Sequence, residues 1–180
     1  MRTEPMNQRI ASILARRDGR ERRPVEATSR PATGVAVVTC MDARLDVYRI
    51  LALSEGDAHV IRNAGGIITA EVTMSLAVSQ RLMGTREILV LHHLDCAMRN
   101  VDDNELADGV QRDTGRRPPW AFTTSPDPRM RIWEAVRQLA SDPFLHHTEL
   151  VRGVLYDERA DTIAEVCRAG PMTGRRTAAR

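Results

Sequence analysis

The chain has 180 residues and a formal net charge of +2, and apart from histidine every basic side chain is arginine. This length is enough for one substantial hydrophobic core, and no apolar run reaches the roughly 20 residues that span a bilayer. Aromatic side chains are too few for extensive base stacking, and the arginine cluster near the N-terminal end is mixed with acids. We therefore expect a cytoplasmic protein that binds neither nucleic acid nor membrane.

The first half of the chain predicts two helices that alternate with two strands. Residues 6–17 carry apolar side chains at helical spacing, and a polar linker with two prolines follows. The β-branched run 35–40 predicts a strand buried on both faces. Residues 44–56 predict a helix that ends at Gly56, and residues 58–66 predict a short strand that runs into a glycine turn.

The second half continues the alternation. The strongest helix pattern begins with Thr69 as its N-cap and ends at Gly84. Four further regions follow: a strand at 86–93, helices at 102–111 and 127–141, and two short strands around a polar turn within 150–167. Strands that alternate with helices predict an α/β fold with a central, largely parallel β-sheet flanked by helices.

Three cysteines and a histidine pair carry the most specific signal in the chain. The odd cysteine number and the absence of a secretory pattern favour metal binding or catalysis over a disulfide framework. Cys40 ends the first predicted strand, and His93 with Cys96 follows the third. Because ligand sites of parallel sheets lie outside the carboxyl ends of the strands, both halves fall at one edge. Two thiolates and one imidazole form an open zinc set, although a strand-end histidine with a free cysteine is the alternative.

The segment "CMDARLD" adds a charged pair beside the first cysteine. Asp42 and Arg44 follow Cys40 at alternate positions. An opposite charge favours the ionised carboxylate, so Arg44 would keep Asp42 available to accept a hydrogen bond from water at the metal. The alternative is a surface salt bridge at a strand end.

These stretches together resemble the β-class carbonic anhydrases, in particular the small bacterial members. The resemblance rests on "CMDAR", "GDAHVIRNAGG", "LMGTREILVLHH" and the H-x-x-C turn, in that order. It continues more loosely through "TGRRPPWAF" and "DPFLHHTELVRGVLYD", and it covers roughly residues 30 to 168. It implies three regions: an N-terminal helical arm and linker at 1–30, the α/β domain at 31–168, and a disordered arginine-rich tail at 169–180.

The resemblance also implies a site and a reaction. Cys40, His93 and Cys96 would bind Zn²⁺, with Asp42 and Arg44 as the catalytic dyad. The implied reaction is reversible hydration of CO2 to bicarbonate by a zinc-bound hydroxide. The implied assembly is a homodimer or a higher homo-oligomer, in which the N-terminal helix packs on a partner subunit.

Three positions depart from the residues that the family commonly has. Leu94 replaces a threonine and Ala97 replaces a glycine around the H-x-x-C turn. The helix after "NAGG" commonly begins with paired acids and carries an arginine, where this chain has Ala70, Glu71 and Met74. Leu94 and Met74 make their surroundings more apolar. Alternatives to CO2 hydration are therefore hydrolysis of carbonyl sulfide or carbon disulfide, or an impaired zinc-binding member with a partner-binding role.

Overall fold

A computed structural model describes residues 28–122 and 125–169. A five-stranded sheet forms its centre, with strand order β2-β1-β3-β4-β5. The first four strands are mutually parallel, and β5 pairs antiparallel with β4. The strands are β1 (Val35–Cys40), β2 (Ala58–Asn63), β3 (Glu87–His93), β4 (Val151–Asp157) and β5 (Thr162–Arg168). The predicted α/β fold with a largely parallel sheet is confirmed.

Four α-helices accompany the sheet within the described residues: α1 (Val47–Ile50), α2 (Ala70–Met83), α3 (Asp103–Thr114) and α4 (Pro128–Ala140). Thr69 caps α2 through its side chain, and Gly84 ends the helix in the left-handed conformation, as predicted. α3 runs a few residues beyond its predicted end and stops at another left-handed glycine, Gly115. α4 starts with a proline after the side-chain cap Asp127, which suits the first turn of a helix.

The sheet separates two apolar clusters, which is why its central strands carry continuous apolar runs. One cluster joins α2 and α4 to the sheet through Leu76, Ile132 and Leu139. The other cluster contains Leu45 and Val47 from the segment around α1. β1 and β3 are neighbours in this sheet, and their carboxyl ends carry Cys40 and His93.

The helix predicted over residues 44–56 is wrong in length. α1 has only four residues, from an Asp46 cap to Ile50. Ala52 adopts a positive φ of 51°, a conformation that breaks a right-handed helix. The apolar spacing is satisfied instead by burial of Leu45 and Val47 against the sheet.

Several predictions concern residues outside this description. The helix at 6–17 and nearly all of the tail at 169–180 lie there, and the boundaries at 30 and 168 stay predictions. Within the described residues, no helix combines the length and apolarity that a membrane crossing requires.

Candidate metal centre

The candidate ligands meet at the carboxyl edge of two adjacent parallel strands. Cys40 is the last residue of β1, and His93 is the last residue of β3. Cys96 lies in the turn just after β3 and is buried, as the other two are. The ligand atoms of all three residues lie within 4.8 Å of one another. The structure thus brings together the three predicted ligands, although Cys40 and Cys96 are 56 residues apart in the sequence.

The donor atoms fit a metal ion such as zinc. Nε2 of His93 is buried and has no hydrogen-bond partner among the described residues, whereas Nδ1 pairs with Glu158. Nε2 is therefore the ring nitrogen left to bind a metal. Two sulfurs and one imidazole nitrogen form an open zinc ligand set.

The side chains of Cys40 and Cys96 interact through a hydrogen bond between their sulfur atoms. Their Sγ atoms lie 3.7 Å apart. The hydrogen bond with Cys96 lowers the pKa of Cys40, and His93 lowers it further against the effect of burial. The same bond, together with burial, raises the pKa of Cys96. A metal that binds both sulfurs must displace the remaining proton, so metal binding releases protons here.

Glu158 is a functional candidate that the sequence reasoning missed. Its carboxylate accepts a hydrogen bond from Nδ1 of His93 and from the backbone N–H of Asp95, the latter at 3.1 Å. Burial lowers the pKa of His93, but the nearby Cys40 thiol and the Glu158 carboxylate outweigh this effect and leave the pKa raised. Such a carboxylate fixes the ring orientation and the tautomer of a ligating histidine. The sequence feature that could have indicated Glu158 is its place directly after β4, at the same edge of the sheet.

Asp42 and Arg44 form the predicted ion pair beside Cys40. Arg44 donates from Nε to Oδ1 at 3.0 Å and from Nη2 to Oδ2 at 2.7 Å, a two-pronged contact. The guanidinium holds the pKa of Asp42 well below its usual range, mainly through these hydrogen bonds. Arg44 also donates to the Asp95 side chain at 2.9 Å and to its carbonyl at 2.7 Å. Asp95 is a second partner that the motif did not indicate.

Two neighbouring segments brace the Cys40 turn. Arg62 donates to the carbonyls of Cys40 and Asp42, at 2.9 and 2.7 Å. Gly66 has φ +65°, and a Cβ there would lie 3.0 Å from the Thr39 carbonyl carbon, so glycine is required at this close approach. Nε2 of His92 donates to the Gly66 carbonyl at 3.1 Å, so the first histidine of the pair is engaged with the backbone.

A cavity of about 420 Å³ opens onto the site. Its lining is formed by Cys40, Met41, Asp42, Ala43, Arg44, Ala97 and Met98. Apart from Asp42 and Arg44, these side chains are apolar or carry a thiol. A small uncharged molecule would therefore meet an apolar wall beside the Asp42–Arg44 ion pair. Ala97, one of the three unusual positions, belongs to this wall.

The other two unusual positions have different surroundings. Leu94 is 36% exposed and lies next to His93. Met74 is 63% exposed on α2 and lines a separate cavity with Thr69, Ala70 and Phe144. The change at 74 therefore lies outside the lining of the metal-site cavity.

Comparison with known proteins agrees with this fold and site. The family model for carbonic anhydrase matches residues 35–115. β-Carbonic anhydrase 1 of Mycobacterium tuberculosis is 45% identical over 136 residues, which cover 76% of this chain and 83% of that protein. The chain belongs to the β-carbonic anhydrase family, a family of enzymes.

One solved structure matches nearly the whole chain, and another relative matches only part of it. The crystal structure of a carbonic anhydrase from Streptococcus mutans has a TM-score of 0.74 and 34% identity, and the match covers 93% of this chain and all of that one. A carbon disulfide hydrolase of Acidianus sp. is 41% identical over only 71 residues, or 39% of this chain and 35% of that protein.

Proposed function

We propose that this protein catalyses the zinc-dependent, reversible hydration of CO2 to bicarbonate. Cys40, His93 and Cys96 bind the zinc ion in this proposal, and Asp42 and Arg44 form the catalytic dyad. The observation that carries it is the placement of three metal-binding atoms within 4.8 Å, next to an ion-paired carboxylate, in a chain of this family. Zinc held there would act as a Lewis acid that lowers the pKa of water toward about 7.

The protein's own residues orient the reactants. Arg44 keeps Asp42 ionised, so the carboxylate can accept a hydrogen bond from a water molecule. This hydrogen bond would orient the water so that a lone pair of the water oxygen faces the substrate in the cavity. Met41, Ala97 and Met98 supply apolar surface beside that carboxylate. An apolar wall suits CO2, which has no net charge.

Stopped-flow measurement of CO2 hydration tests this proposal directly. Zinc-loaded wild type should be compared with Asp42→Asn and Cys96→Ser. We expect Asp42→Asn to keep its zinc and to lose about 100-fold or more in kcat, because a neutral amide cannot take up a proton and its oxygen accepts a weaker hydrogen bond than a carboxylate does. Wild type no faster than these variants, despite full zinc occupancy, would contradict the proposal and favour an impaired zinc-binding member with a partner-binding role.

A second candidate is hydrolysis of carbon disulfide or carbonyl sulfide. The partial identity to carbon disulfide hydrolases and the apolar lining at Met41, Ala97 and Met98 support it. Release of hydrogen sulfide from either substrate, measured beside CO2 hydration, separates the two reactions. A kcat/KM that is higher for carbon disulfide than for CO2 would replace the first proposal with the second.

We further propose that the protein is a homodimer or a higher homo-oligomer. Met74, Val78 and Leu82 recur every fourth residue along α2 and are 63, 41 and 68% exposed. These three residues are called the α2 stripe below. An exposed apolar stripe of this kind is typical of a surface that another chain covers.

A further inference from the structure

Arg131 in α4 is a buried cation without a conventional partner. The residue is only 4% exposed. Among the described residues, no atom accepts a hydrogen bond of normal geometry from its Nε, Nη1 or Nη2. A guanidinium has five N–H donors and remains charged in proteins. Leaving it buried and unpaired costs free energy, so its burial points to a compensating negative group.

The position of α4 in the sheet identifies where that group lies. α4 connects β3 to β4, and these strands are parallel. A crossover helix runs back against the strands, so its first turns lie at the carboxyl edge of the sheet. Arg131 stands four residues after the Asp127 cap and therefore at the edge that holds Cys96.

The neighbours of the guanidinium agree with this placement. Arg131 lies within interaction range of the Cys96 side chain. It also lies near the buried ring of His92, the residue before the candidate ligand His93. The positive end of the α4 dipole makes an uncompensated cation still less favourable near this terminus.

We propose that Arg131 is a positioning residue of the metal centre, whose guanidinium is the buried counter-charge of the Cys96 thiolate. Two thiolates neutralise a divalent ion, so any further anion at the site leaves one negative charge that a nearby cation balances. N–H donation to a ligating sulfur would also stabilise its ionised form and hold the side chain in place. This inference rests on the proposed zinc site.

Zinc affinity tests the inference without relying on activity. The dissociation constant should be measured by chelator competition for wild type, Arg131→Gln, Arg131→Lys and the control Arg129→Gln, an exposed arginine of the same helix. We expect Arg131→Gln to bind zinc about tenfold more weakly or worse, as loss of a group behind a ligand does. Arg131→Lys should fall between, and Arg129→Gln should match wild type.

Two further readouts separate this role from a purely structural one. The thiolate-to-metal absorption band of the Co²⁺-loaded protein should shift in Arg131→Gln but not in Arg129→Gln. Zinc-free Arg131→Gln should unfold no earlier than zinc-free wild type, because the variant removes an unpaired buried charge. Equal zinc affinity of wild type and Arg131→Gln would overturn this inference alone, and so would an equal loss of stability with and without zinc. A wild type that binds no zinc would overturn the proposed function as well.

Discussion

At the scale of single residues, Glu158 connects two parts of the candidate metal centre. It holds Nδ1 of His93 and ties the same carboxylate to the backbone of Asp95. One side chain thus links the candidate ligand His93 to the turn that carries the candidate ligand Cys96. Since the protein-imposed orientation of a ligand contributes to metal affinity, its loss should be visible in zinc binding.

We predict that Glu158→Gln weakens zinc binding by about tenfold or more, because a neutral amide holds the imidazole less strongly than a carboxylate does. Chelator competition measures the change. The matched control is Glu149→Gln. Oε1 of Glu149 lies 3.5 Å from Nδ1 of His147, so this is also an acid beside a histidine, but neither residue belongs to the candidate metal centre. Equal affinities in both variants would mean that the Glu158 contact does not support the ligand.

The candidate ligands and the proposed dyad could be predicted from the sequence, but the residues that support them could not. Cys40, His93 and Cys96 were predictable because metal-binding residue types follow strands whose carboxyl ends meet at one edge. Asp42 and Arg44 were predictable from local spacing. The Glu158 contact spans 65 residues, and Arg131 reads from the sequence as one arginine among many on a helix. Only the packed fold shows which acid or cation lies behind a ligand.

At the scale of elements, the contact between α4 and β4 requires a glycine. A Cβ at Gly153 would lie 2.2 Å from Cγ2 of Ile132 and 3.0 Å from Cγ2 of Val136. α4 therefore sits directly on the β4 backbone, and this close approach also fixes where the first turns of α4 meet the metal-site edge. A glycine within a strand pattern is the only trace of this contact that can be read before the fold is known.

We predict that Gly153→Ala lowers the free energy of unfolding by about 1–3 kcal/mol, the usual cost of overpacking a core. Denaturant titration provides the measurement. Gly109→Ala on α3 is the control, because its Cβ would come no nearer than 3.7 Å to an arginine side chain. That change should instead raise stability by about 0.5–1 kcal/mol, as expected for replacing a helical glycine. A neutral Gly153→Ala would refute the tight α4–β4 contact.

Local patterns predicted the elements well where burial and capping agreed, as in α2 between Thr69 and Gly84. They failed at residues 44–56, where apolar spacing fits a helix but Ala52 turns the chain with a positive φ. Leu45 and Val47 are apolar because they are buried against the sheet, and their positions also fit the pattern of a longer amphipathic helix. Tertiary packing decides between these outcomes.

At the scale of the whole molecule, the α2 stripe predicts self-association. Leu82→Glu places a charge in this stripe and should shift the protein toward the monomer mass of 20.1 kDa in light scattering after size exclusion. Leu106→Glu on α3 is the control, since Leu106 is 37% exposed but lies on another helix. A wild type that is monomeric would contradict the homo-oligomer, and an unchanged mass in Leu82→Glu would place its interface elsewhere.

The most direct test of the whole account is removal and return of zinc. The protein should be stripped with a chelator, and CO2 hydration should be followed as zinc is added back. We predict that the stripped protein is inactive and that its rate rises linearly until one zinc per chain is bound, whereas Cys40→Ser recovers no activity at that ratio. Full activity in verified zinc-free protein, or full recovery in Cys40→Ser, would contradict a reaction carried by the Cys40–His93–Cys96 centre.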